Sequence, residues 1–99
     1  MARLEVMHMD KTILTRAIEA FGRRSQILKA IEEMAELTAA LARVGTSEDI
    51  NSNEIIEEIA DVSIMMEQLA LMVGERNVAI FVTQKMQRLE RRLNGVETD

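Results

Sequence analysis

The chain has 99 residues, with 17 Asp and Glu against 12 Lys and Arg, a formal net charge of −5 that argues against a general nucleic-acid binder, which needs a basic face. It has no Cys, which removes disulfides and thiolate–zinc sites, and no apolar run approaches the ~20 residues of a membrane span. Residues are 47% hydrophobic, yet the aromatic side chains are Phe21 and Phe81 alone, while eight Met soften the core. One small domain over 1–99 is expected, with 1–10 as an N-terminal tail. That tail mixes Arg3, Glu5, His8 and Asp10 with single apolar residues. It lacks the apolar stretch of a signal peptide, so cytoplasm is the expected location.

No Pro interrupts the chain, and Gly22, Gly45, Gly74 and Gly95 each follow a helix-like run, the position of a C-terminal stop. The spacing predicts four helices: 11–21, 25–44, 53–73 and 77–94. Ser25 is expected to cap the second, and Ser52 or Asn53 the third. No alternating strand pattern occurs. The fold class is therefore all-α, a four-helix, bundle-like protomer that packs into a dimer or tetramer.

On the second predicted helix Ile27, Ile31, Met34, Thr38 and Leu41 form the main apolar stripe, and Ala30, Glu33, Leu37, Ala40 and Val44 form a second. The third helix repeats this, with Ile55, Ile59, Val62, Met66 and Leu69 on one line and Glu58, Asp61, Met65, Gln68 and Met72 on another. Second stripes rich in Leu37, Val44, Met65 and Met72 call for a partner, and a homodimer is expected.

Glu32-Glu33-x-x-Glu36 and Glu58-x-x-Asp61 put carboxylates one turn apart on two neighbouring helices. Carboxylates on a helix usually face solvent. Here they sit within apolar lines, where an unpaired charge costs several kcal/mol unless a cation neutralises it. A metal site accounts for that better than a solvated face. Glu-x-x-His pairs for di-iron are missing, and the single His8 leaves zinc without ligands. Mg²⁺, or Mn²⁺ in its place, suits an oxygen-only set, and such sites usually share the ion with phosphate oxygens.

On the fourth helix Phe81, Lys85, Arg88 and Arg92 share one face beside the apolar line Val78, Val82, Met86, Leu89 and Leu93. The cations either decorate a helix C-terminus or hold phosphate oxygens.

Glu32-Glu33-x-x-Glu36, 21 intervening residues and Glu58-x-x-Asp61, with Phe21-Gly22 and Gln26 upstream and Lys85 downstream, resemble the signature of the MazG-like all-α nucleoside triphosphate pyrophosphohydrolases. The resemblance implies Mg²⁺-dependent hydrolysis of a nucleoside or deoxynucleoside triphosphate to monophosphate and pyrophosphate. It implies Glu33, Glu36, Glu58 and Asp61 as metal ligands, with Glu32 outer-sphere or orienting the water. Lys85, with Arg88 or Arg92, would stabilise the leaving group, and Gln26 and Phe21 would meet the substrate. Dimers, sometimes paired into tetramers, build the site in that family. The related phosphoribosyl-ATP pyrophosphohydrolases tend to follow the second motif with Tyr-His. Here Asp61 is followed by Val62-Ser63-Ile64-Met65, which disfavours that branch. A non-catalytic helical module held by interhelical salt bridges is the competing expectation.

Overall fold

The computed structural model describes residues 9–95; His8 and the tail before it lie outside them. Four helices run in order: α1 Lys11–Phe21, α2 Arg23–Val44, α3 Asn53–Val73 and α4 Glu75–Leu93. No strand occurs among the described residues. The all-α reading holds, and the bounds of α1 and α3 match those expected. The chain divides into two compact units, Met1–Leu69 and Ala70–Asp99.

In the first unit the Asp10 carboxylate caps α1 by accepting from Thr12 N at 2.8 Å, as a short acidic side chain at an N-cap should. One residue, Gly22, joins α1 to α2. Its N–H closes α1 on Ile18 O at 2.9 Å, and its carbonyl accepts the first bond of α2 from Gln26 N at 3.1 Å. The backbone there has φ 91° and ψ 148°, a region open in practice to glycine alone. Helix α2 therefore begins at Arg23, two residues before the expected start, and Ser25 is not its cap. Gly22 takes that position and supplies no side-chain hydrogen bond. Leu14 of α1 is buried, and α1 packs beside α2.

The linker after α2 is polar and stiffened locally. Ser47 Oγ accepts from Asp49 N, and the Asp49 carboxylate accepts from Asn51 N, bonds these short side chains make readily in turns. Ser52 caps α3, its Oγ accepting from Ile55 N at 3.2 Å. Arg43, at the end of α2, ion-pairs with Glu54 at the start of α3. Ten residues back along α2, Glu33 lies in the field of Asp61, seven residues on in α3. The two helices thus run antiparallel.

Burial reverses the two stripes of α2. Ala30 and Ala40 are almost fully buried and Glu33 is 9% exposed, so the line expected to need an outside partner is the one facing inward. Leu37 and Val44 on the same line are half-buried. The most buried positions on that inward line are therefore small ones, Ala30 and Ala40. The stripe expected to form the core, Ile27, Ile31, Met34 and Leu41, is 38, 55, 37 and 40% exposed. Thr38, on the same side, donates its hydroxyl to Met34 O at 2.9 Å.

Helix α3 shows the same exchange in part. Ile55 and Met65 are buried, while Ile59 and Met66 are exposed. Burying Ile55 contributes about 1.5–3 kcal/mol.

In the second unit the turn from α3 into α4 passes through Gly74 at φ 103°. A Cβ there would stand 2.7 Å from Asn77 Nδ2, because the Asn77 amide folds back to donate to Val73 O at 2.9 Å. Helix α4 opens at Glu75, two residues before the expected start, and contains no buried residue. Its apolar line is exposed from Val82 to Leu93.

Candidate metal centre

Three side chains of α2 meet. One carboxylate oxygen from each of Glu32, Glu33 and Glu36 lies within 4.8 Å of the others. The helix repeat produces this: Glu33 and Glu36 are three residues apart, and Glu32 precedes Glu36 by four. The three differ in setting. Glu32 and Glu36 are exposed, whereas Glu33 is 9% exposed and feels the charges of Asp61 and Glu58 on α3.

Helix α3 adds Glu58 and Asp61, both half-buried. Burial is the first cause that pushes the Glu33 carboxyl above its ordinary pKa, followed by the negative charges of Asp61 and Glu36, while Lys29 opposes them. Glu58 is also raised, first by burial, then by the charges of Glu36 and Asp61 and by a hydrogen bond with Asp61. Glu33 and Glu58, on two antiparallel helices, thus both feel the charges of Glu36 and Asp61. Like charges held this close favour protonation or a bound cation.

Lys29 is a member of the cluster that sequence reasoning passed over. Its ammonium group donates to Glu32 Oε1 at 3.2 Å, one turn further along α2. That hydrogen bond is the first cause raising the Lys29 pKa, and the charges of Glu32 and Glu33 follow. An i,i+3 Lys–Glu pair is legible in a sequence, but its meaning depends on which face Glu32 occupies.

Gln26 is buried at 8% exposure, seven residues before Glu33, and Gln68 at 4%, seven residues after Asp61. In an antiparallel pair both steps run in one direction, so the two amides stand about 10 Å along the seam from the carboxylates. Gln68 Oε1 is buried with no hydrogen-bond partner. Phe21, at the end of α1, is 66% exposed. Lys85, Arg88 and Arg92 belong to the second unit and lie on an exposed stretch of α4.

An oxygen-only donor set fits a hard divalent cation. Carboxylates prefer Mg²⁺, Mn²⁺ or Ca²⁺ over softer ions, and the chain has no Cys to compete for it. Comparison with protein-family models, with curated proteins and with solved structures finds no match to this chain. No described helix is long and apolar enough to cross a membrane.

Proposed function

We propose that the chain is a cytoplasmic, Mg²⁺-dependent nucleoside triphosphate pyrophosphohydrolase of the MazG-like kind, working as a homodimer or homotetramer. The observation that supports this most is the gathering of Glu32, Glu33 and Glu36 oxygens within 4.8 Å, in the field of Glu58 and Asp61 from the facing helix. Glu33, Glu36, Glu58 and Asp61 would hold the ion. When bound, Mg²⁺ (or Mn²⁺) neutralises charge on the phosphate chain and acidifies water.

The rest falls to the chain's own residues. Glu32, exposed and ion-paired to Lys29, orients the water that attacks the α-phosphorus. A water O–P bond forms as that water gives its proton to solvent, the bond from the α-phosphorus to the bridging oxygen breaks, and pyrophosphate leaves with the electron pair. Lys85, with Arg88 or Arg92, takes up charge on that leaving group. Gln26 and Phe21 are assigned to the nucleoside end.

The deciding experiment screens the purified chain against a panel of nucleotides for pyrophosphate release with Mg²⁺. Glu36→Gln and Asp61→Asn should each abolish release while helicity stays intact, because each removes a charge and little volume. Near-normal turnover of either variant at saturating Mg²⁺ refutes the ligand assignment.

The salt-bridged helical module keeps one specific support, the ion pair Arg43–Glu54 between α2 and α3, since Lys29–Glu32 lies within α2. Both are exposed, so each contributes little to stability. A thermal melt separates the two readings. Millimolar Mg²⁺ should stabilise a ligand site by mass action and leave a salt-bridged module where it was.

A further inference from the structure

Glu33 is a carboxylate at 9% exposure, and a buried charge of that kind needs a cation close by. Of the charges of described residues that act on it, that of Lys29 favours the ionised form, while those of Asp61, Glu36 and Glu58 oppose it. Yet the Lys29 ammonium is engaged next door, donating to Glu32 Oε1 at 3.2 Å in a pair whose side chains are both about half-exposed. We propose that Lys29 is the resident counter-cation of the carboxylate cluster and sets how tightly the site takes a divalent ion. The inference rests on the Mg²⁺ reading above and deepens it.

The helix repeat puts Lys29 in that place. Glu32, Glu33 and Glu36 follow it by three, four and seven residues, so the four side chains lie on one face within two turns. Between Arg24 and Arg43 no other cation occurs on α2. One oxygen from each of the three carboxylates already lies within 4.8 Å of the others. An ion among them and the ammonium group therefore draw on the same negative field, and the two positive charges repel.

The role differs from that of a pair that only decorates a helix. Such a pair contributes little to stability and leaves metal affinity alone. A counter-cation holds the cluster together while it is empty and weakens its grip on an incoming ion. Because Lys29 and Glu32 are both half-exposed, the charges interact largely through water and are screened by salt. A change in metal affinity of roughly threefold to tenfold is the expected scale.

The test measures Mn²⁺ binding to the full-length chain without nucleotide, by electron paramagnetic resonance of the free ion, at about pH 8 where lysine stays charged. Lys29→Met should bind the ion roughly three to ten times more tightly than the parent. Lys29→Arg keeps the charge and should stay near the parent, and the gain in Lys29→Met should shrink in concentrated salt. Arg43→Met is the control. It breaks the Arg43–Glu54 ion pair and changes the net charge equally, but lies ten residues from Glu33, about 15 Å along α2, so its affinity should match the parent's. A parent chain that binds no Mn²⁺ at millimolar concentration overturns the metal reading and this inference with it. A parent that binds, with Lys29→Met binding no more tightly or Arg43→Met gaining as much, overturns the role of Lys29 and leaves the metal site standing.

Discussion

Gln68 offers a test that depends on packing alone. Its side chain is 4% exposed and its Oε1 has no hydrogen-bond partner. A buried acceptor left without a donor costs about 1–3 kcal/mol. Gln68→Met keeps nearly the same length and volume and removes both polar ends, so it opens no cavity. The variant should therefore be more stable than the parent by about 1–2 kcal/mol. In a domain of this size each kcal/mol moves the melting temperature by about 4–8 °C. A calorimetric or circular-dichroism melt without added metal reads the shift directly. Gln68→Ala serves as the control. It removes the same orphan but leaves a cavity, so it should fall below Gln68→Met by the cost of the lost methylenes. A Gln68→Met protein that melts lower than the parent would mean that the amide is satisfied, and the reading of the seam as partly unsatisfied would fail.

The carboxylates give a pH dependence with a definite sign. Glu33 and Glu58 have folded-state pKa values raised above the ordinary one, first by burial and then by each other's neighbours. Their contribution to stability is fully present below the unfolded value of about 4.3 and is lost as pH rises through the folded values. Metal-free protein should therefore lose stability from about pH 4.3 upward relative to the Glu33→Gln, Glu58→Gln double variant; parallel pH curves for the two refute this. Gly22→Ala places a Cβ at φ 91° and should cost about 1–3 kcal/mol, read as a lower urea midpoint with unchanged slope. An unchanged midpoint would show that the α1–α2 joint tolerates a side chain. Lys85→Ala should leave the melting temperature nearly alone and lower kcat/KM by roughly tenfold or more if Lys85 holds phosphate. Unchanged kinetics would return it to a solvated helix face.

Helix existence was legible because glycine and periodicity are local signals. Each of the four glycines takes positive φ at the end of a helical run. Helix starts were harder. The sequence favours Ser25 as a cap, but the α1–α2 joint is a single residue, so α2 begins immediately after Gly22 and no side-chain cap forms. Nothing in the residue pattern announces a one-residue joint. It follows from the packing of α1 beside α2.

The stripes misled for a different reason. Hydrophobic size ranks Ile27, Ile31, Met34 and Leu41 above Ala30, Ala40 and Glu33, and burial inside one chain ranks them the other way. A helix can present its bulky face outward when a closer contact is available through small residues. Burial of large side chains is then deferred to another surface. That choice also explains where the carboxylates sit. Alanines flank Glu33 on that buried line, and after burial the charges of Asp61, Glu36 and Glu58 push its carboxyl further up. The same substitution would therefore test fold and site together. Ala30 is 1% exposed, so Ala30→Leu should overpack its surroundings, at about 1–3 kcal/mol, and by opening them should relax the raised Glu33 pKa toward its ordinary value, followed by NMR titration of the side-chain carboxyl. If the pKa of Glu33 stays raised while stability falls, the electrostatic coupling does not depend on the small-residue seam.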